Sequence, residues 1–219
     1  MTGLARYIDH TLLRPEATEA DVRRLVEEAA EHGFASVCIP PVYVPLAAEI
    51  LRGTPVAVGT VVGFPLGYVH PAVRRTESFQ AVTDGAQELD TVLNLSWLKS
   101  GYDHRVLSDL TGWVLAMRME RDGLILKVIL ETALLTDEEK ARGARLTVEA
   151  GADFVKTSTG FSKGGATVED VALLARTVAG KIGVKASGGI RDAATARAMI
   201  AAGATRLGTS SGVGIVGEG

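Results

Sequence analysis

One turn recurs at four places and limits how this chain can fold more than any other feature. His32-Gly33-Phe34-Ala35-Ser36-Val37, Asp84-Gly85-Ala86-Gln87-Glu88-Leu89, Ala150-Gly151-Ala152-Asp153-Phe154-Val155 and Ala202-Gly203-Ala204-Thr205-Arg206-Leu207 each read as a helix tail, a glycine, then an apolar strand. Glycine takes the positive φ that ends a helix at no steric cost, so one supersecondary unit is being reused. Eight strand candidates lie along the chain: Tyr7–His10, Ser36–Ile39, Val56–Val62, Glu88–Leu93, Leu124–Leu130, Phe154–Thr157, Gly183–Ala186 and Thr205–Gly208. Helical stretches rich in Ala, Leu, Glu and Arg fit between most of them. Thr18-x-x-Asp21 reads as an N-cap, Thr136-x-x-Glu139 as a full capping box, and Thr167 and Asp192 as caps of two later helices.

Strict alternation of β and α units implies a parallel sheet, and nearly continuous apolar strands imply that both of its faces are covered. Eight strands in 219 residues favour a closed (β/α)8 TIM barrel, with residues 1–219 expected to form a single domain. An open doubly wound sheet would carry a GxGxxG after its first strand, and none is present.

A formal net charge of -3 gives no clustered basic footprint, so neither nucleic acid nor an anionic membrane is expected as a partner. The single cysteine, Cys38, excludes a disulfide framework and any multi-cysteine zinc site. The opening MTGLARYIDHTLLRPE lacks the basic-then-apolar order of a signal peptide. The most apolar run, 56–69, is interrupted by Gly59, Gly63, Pro65 and Gly67. A cytoplasmic location is the expectation.

Three lysines fall inside strands. Lys127, Lys156 and Lys185 are spaced 29 residues apart, one βα unit each time, which predicts equivalent places on consecutive strands. A lone strand lysine is most often a snorkelling residue or an ion-pair partner. Two neighbours near the C-terminal ends of adjacent barrel strands point instead to an active site. Repulsion and desolvation both lower a lysine pKa, and a neutral amine can form a Schiff base with a carbonyl. Lys156, followed by Thr157, Ser158 and Thr159, is the candidate nucleophile, and Lys185 the cation that keeps it deprotonated. Lys127, deeper in its strand, is expected to form a structural ion pair. Asp90 in ELDTVLN faces the lysines by alternation and is the candidate for proton transfer, with Asp9 a further member of the network.

Ser187-Gly188-Gly189-Ile190 and Gly208-Thr209-Ser210-Ser211-Gly212 follow the last two strands, where barrels of this kind place a phosphate, and Gly160 adds a third small residue. The four histidines, His10, His32, His70 and His104, show no metal-ligand spacing, so no metal site is predicted.

The segments IDHTLL, ELDTVLN, LKVILET, FVKTSTGF, VKASGGIR and RLGTSSG, in this order, resemble those of the deoxyribose-phosphate aldolase family, class I aldolases on a (β/α)8 barrel. The resemblance runs from about Tyr7 to Val213. It implies reversible cleavage of a small-molecule sugar phosphate, 2-deoxy-D-ribose 5-phosphate, to D-glyceraldehyde 3-phosphate and acetaldehyde. It places the Schiff-base lysine on Lys156, the activating lysine on Lys185 and the proton-transfer aspartate on Asp90. Phosphate contacts fall on Gly160, Gly188, Gly189, Ser210 and Ser211, and a substrate-hydroxyl contact on Thr159. It implies no cofactor and a homo-oligomer, dimer or tetramer. Family members often end in a tyrosine that assists the enamine proton step, whereas here no tyrosine follows Tyr102. Either water and Asp90 carry that step, or the native tail extends further. The competing readings are another phosphate-binding barrel enzyme, an isomerase or related sugar-phosphate aldolase, and a non-catalytic sugar-phosphate-binding barrel.

Overall fold

Eight parallel strands close into a ring in the order in which they occur along the chain. They are β1 (Ile8–Thr11), β2 (Ser36–Ile39), β3 (Ala57–Val62), β4 (Glu88–Val92), β5 (Ile125–Ile129), β6 (Phe154–Lys156), β7 (Gly183–Ser187) and β8 (Arg206–Thr209). The computed structural model describes residues 3–218. Pairing of Ile8 with Leu207 and of Asp9 with Gly208 shuts the ring. Every strand expected from the sequence is present, its ends moved by at most one residue.

Helices return the chain from each strand to the next. α1 (Glu19–His32), α2 (Val44–Ile50) and α3 (Pro71–Thr83) follow the first three strands, and α4 (Leu95–Lys99) with α5 (Asp103–Glu120) follows β4. α6 (Asp137–Glu149), α7 (Val168–Val178), α8 (Ala193–Ala201) and α9 (Gly212–Gly217) complete the circuit.

The four glycine turns share one hydrogen-bond plan. Gly33, Gly85, Gly151 and Gly203 all have positive φ. The next residue's N–H reaches back to a helix carbonyl, as Phe34 does to Ala29, Ala86 to Ala81, Ala152 to Thr147 and Ala204 to Met199. This satisfies carbonyls that the helix end would otherwise leave unpaired. The residue after that donates to the preceding strand (Ala35 to Ile8, Gln87 to Val58, Asp153 to Leu126, Thr205 to Val184) and starts the new ladder. Thr136, Thr167 and Asp192 cap their helices as expected. Thr18 does more than expected: Asp21 returns the bond to the Thr18 N–H, so this cap is also a reciprocal box.

Alternation divides the strands into two populations. Outward residues such as Ile8, Val37, Leu89, Leu126, Val128, Val155, Val184 and Leu207 join Val26, Leu110, Trp113, Met117 and Leu174 from the helices in the apolar core between ring and shell. Inward positions of the same strands carry Asp9, Glu88, Asp90, Lys127, Lys156, Lys185 and Arg206. No helix among the described residues is long and apolar enough to cross a membrane.

The register corrects one expectation. Lys156 lies directly opposite Lys185, but Lys127 pairs with Phe154, and the residue level with Lys156 on β5 is Ile129. Equal sequence spacing therefore does not put all three lysines at one level. Neighbouring strands are staggered round a closed barrel, and the β5–β6 step absorbs two residues that the β6–β7 step does not. Lys127 sits one inward position lower.

Candidate active site

The tops of β6 and β7 are tied together by short side-chain bonds. The Thr157 hydroxyl donates to the Ser187 carbonyl at 3.2 Å and accepts the Ser187 N–H at 3.1 Å, while the Ser187 hydroxyl donates to the Ser158 carbonyl at 2.6 Å. This fixes Lys156 and Lys185 side by side. Their Nζ atoms share one oxygen, Asp90 Oδ2, at 2.7 and 2.8 Å. Gly208 gives Lys185 its room: a Cβ there would lie 2.9 Å from Ser187 Cβ and 3.2 Å from Lys185 Cε.

Below this pair the charges interlock. Lys127 reaches Asp90 Oδ1 and Glu88 Oε2, both at 2.7 Å, with Asp9 Oδ2 at 3.6 Å. Lys185 also meets Asp9 Oδ2 at 2.5 Å. Arg206 pairs with Asp9 and, at 2.5 Å, with Glu88. Four bases thus face three carboxylates in a region where every lysine is at most 2% exposed. One base must be neutral for the buried charges to cancel, and uncompensated buried charge is costly.

The electrostatics single out that base. Burial pushes Lys127 and Lys185 down, but their carboxylates reverse this and leave both above the ordinary lysine range. Arg206 is likewise raised by Asp9 and Glu88 against burial. Burial pushes Asp90 and Asp9 up, and the surrounding cations overturn it, holding both well below the carboxylate range. Lys156 alone among the four goes down. Its burial is the largest influence and outweighs the pull of Asp90, with the charge of Lys185 acting in the same direction as burial. The like-charged neighbour expected to keep Lys156 deprotonated is the lesser of the two lowering influences. Desolvation comes first.

Lys156 forms part of the floor of a cleft of about 400 Å³ at the C-terminal end of the barrel. Thr159, Gly160, Gly188, Gly189 and Ser210 line it, as do two guanidinium side chains that the sequence did not single out, Arg14 and Arg191. Gly188 is pressed against Gly165, where a Cβ would sit 2.3 Å from the Gly188 carbonyl oxygen, so the two loops meet backbone to backbone. Among the described residues no hydrogen bond uses the N–H of Gly160, Gly188, Gly189 or Ser210. These are free donors for an anion. The helix ends nearby are already occupied: Asp192 accepts the Thr195 N–H at the start of α8, and Glu218 accepts that of Ala193. Ser211 lies outside the cleft lining, with its N–H donated to the Thr209 hydroxyl at 2.9 Å. The Thr159 hydroxyl is held by the buried Glu131 carboxylate.

Glu88, Arg206, Glu131, Arg14 and Arg191 are the charged residues missed by sequence reasoning. Glu88 was open to the alternation argument that found Asp90, two positions further along the same strand. His10 is buried facing α1, where it meets Glu28 at 2.8 Å. Among the described residues no group of three or more His, Cys, Asp or Glu side chains could hold a metal ion.

The chain matches the DeoC/LacD family aldolase over residues 4–216. It is 54% identical over 214 residues to the deoxyribose-phosphate aldolase of Geobacillus sp. (strain WCH70), covering 98% of this chain and 95% of that one. It is 54% identical over 215 residues to that of Carboxydothermus hydrogenoformans, covering 98% and 94%. A solved structure described as a unique tetrameric deoxyribose phosphate aldolase from Aeropyrum pernix superposes with a TM-score of 0.90 at 39% identity, covering 98% of this chain and 89% of that one. A buried amine driven towards neutrality beneath a cleft lined by free backbone amides, on a closed parallel barrel, thus accompanies near-full-length similarity: the chain belongs to the DeoC/LacD family of aldolases.

Proposed function

We propose that this chain reversibly cleaves 2-deoxy-D-ribose 5-phosphate to D-glyceraldehyde 3-phosphate and acetaldehyde, as a single catalytic domain over residues 1–219. Lys156 is the Schiff-base nucleophile. The observation that carries this assignment is the mismatch of four bases and three carboxylates, which leaves Lys156 the one amine driven towards neutrality.

The neutral amine attacks C1 of the open-chain sugar phosphate, and loss of water gives the iminium. Acetaldehyde carries carbons 1 and 2, so the bond that breaks is C2–C3. Asp90, its first proton passed to the departing water, takes the C3 hydroxyl proton through water, the C2–C3 electron pair flows to the iminium, and glyceraldehyde 3-phosphate leaves. The enamine is then protonated at C2 and hydrolysed, freeing acetaldehyde and Lys156. Asp90, ionised and 2.7 Å from Lys156 Nζ, is placed to accept the proton released on attack, with water as the outside carrier. Lys185 holds Asp90 and keeps the positive charge that discourages a second one on Lys156. The free amides of Gly160, Gly188, Gly189 and Ser210 take the phosphate, with Arg14 and Arg191 adding charge at the rim. Ser211 contributes by shaping that turn.

The similar structure from Aeropyrum pernix, described as tetrameric, supports a homo-oligomer, dimer or tetramer. The single cysteine and the lack of a long apolar helix among the described residues agree with a cytoplasmic location. The test is borohydride reduction in the presence of substrate followed by peptide mapping. A two-carbon adduct on the peptide containing Lys156 is expected. Turnover with no reducible adduct, or an adduct on Lys127 or Lys185, would overturn the assignment.

A further inference from the structure

Glu131 is the one residue beside the cleft whose backbone is held in an unfavourable conformation. Its φ of 55° and ψ of 61° are left-handed, which is uncommon for any residue but glycine. Among the described residues only Ala179 shares a positive φ without being glycine, and it ends α7, an ordinary place for it. The cause at Glu131 is a bulge. Leu130 donates to the Lys156 carbonyl and Thr132 to the Thr157 carbonyl, both at 2.9 Å, so two residues on one side advance against one on the other. Bulges of this kind re-aim a side chain. Here the carboxylate of Glu131, 3% exposed, is turned onto Thr159.

The bonds at Thr159 then fix a direction. Glu131 Oε2 accepts the Thr159 N–H at 3.3 Å and the Thr159 hydroxyl proton, while Oε1 is buried without a partner. The Thr159 hydroxyl also accepts the Phe161 N–H at 3.0 Å. A hydroxyl has one proton and two lone pairs. Its proton is committed and one lone pair is used, so the other is what this cleft-lining residue can offer a ligand.

We infer that Glu131 is a positioning residue: by holding the Thr159 hydroxyl proton it turns the substrate-hydroxyl contact already expected at Thr159 into a pure acceptor, and so sets the preference for a substrate carrying a hydroxyl at C4. This rests on the aldolase assignment made above. With C1 on Lys156 and the C5 phosphate against Gly160 and Gly188, Thr159 falls between the two ends. The C3 hydroxyl becomes a carbonyl in the reaction, which leaves the C4 hydroxyl as the lasting donor.

The condensation direction tests this with acetaldehyde and two phosphorylated acceptors, D-glyceraldehyde 3-phosphate and 3-phosphooxypropanal, which lacks the relevant hydroxyl. The readout is the ratio of their kcat/KM values. Asparagine tolerates the left-handed backbone but is one carbon too short to reach Thr159, so Glu131→Asn should lower the ratio roughly tenfold, the scale of one lost hydrogen bond. Glu131→Gly, which accepts the same φ, should do likewise should the first variant fold poorly. Glu131→Gln keeps both reach and an accepting oxygen and should hold the ratio within about threefold. Thr159→Val should collapse the ratio as Glu131→Asn does, with no further loss when the two are combined. Equal slowing of both acceptors, or an unmoved ratio in both Glu131→Asn and Glu131→Gly, would overturn the inference. Borohydride trapping of the wild-type protein with acetaldehyde alone separates the two levels. No adduct at Lys156 means that the aldolase assignment has failed and this inference with it, whereas an adduct with an unmoved ratio removes only the role of Glu131.

Discussion

Two buried ionic systems in this molecule behave in opposite ways. Between α3 and α5, outside the ring, Arg74 Nη1 meets Asp109 Oδ2 at 2.9 Å, one base against one acid. The same guanidinium donates to the carbonyls of Gly67 and Val92 at 3.1 Å each, pinning the loop after β3 to the end of β4. Burial dominates both partners there, lowering Arg74 and raising Asp109. Inside the ring Asp9, Asp90, Lys127, Lys185 and Arg206 have enough opposite neighbours to overcome burial, and Lys156 does not. A one-to-one pair is a clamp. A network with one base too many stores a neutral amine, and chemistry needs the second arrangement.

The most drastic way to break this contrast is Lys156→Leu, which should cut turnover by about 10⁴–10⁶-fold, the scale of losing a nucleophile. It should leave the protein at least as stable as the wild type in urea denaturation. The sign follows from linkage: with its folded pKa below the ordinary 10.5, Lys156 binds its proton more tightly when unfolded. Its penalty is therefore full below the folded pKa and vanishes as the pH rises through the unfolded one.

Arg206→Leu leaves three acids with two permanently paired bases and should cost roughly 3–5 kcal/mol in the same assay, as breaking buried ion pairs does. Arg74→Leu should cost a similar amount, yet only the Arg206 change should also move the pH dependence of turnover. An identical pH profile for the two variants would erase the distinction between clamp and network.

Lys185→Leu removes a like charge and frees both Asp9 and Asp90 to attract the remaining amine. Lys156 should then titrate higher, shifting the rising limb of kcat/KM to more alkaline pH by about 1–3 units. A rate loss with an unshifted limb would assign Lys185 to substrate contact instead. The smallest effect is expected from replacing Arg74 and Asp109 together by leucine. Removing both charges should cost within about 2 kcal/mol, since well-packed apolar replacements of buried pairs are often near neutral.

The fold was legible because it is written locally. A glycine at each of four helix ends, threonine caps and apolar strand runs all act within a few residues, and the eight strands followed to within one residue. Lys156, Lys185 and Asp90 were legible because charged side chains inside parallel strands conflict with burial. Arg206 was hidden at the edge of a strand, where it reads as an ordinary surface residue until ring closure brings β8 against β1. The level of Lys127 was hidden too, since it depends on a stagger shared by the whole barrel. Glu131 gave no signal at all: nothing in LKVILET marks the residue that takes a left-handed turn.

The bare backbone at Gly208 bears on how this protein could be remade. Any methyl group introduced there would press on Ser187 Cβ and on the stem of Lys185, so the wall formed by β8 has little slack to give. A library aimed at bulkier aldehydes gains space instead at Phe161 and Arg14, which line the same cleft and whose side chains already end in solvent.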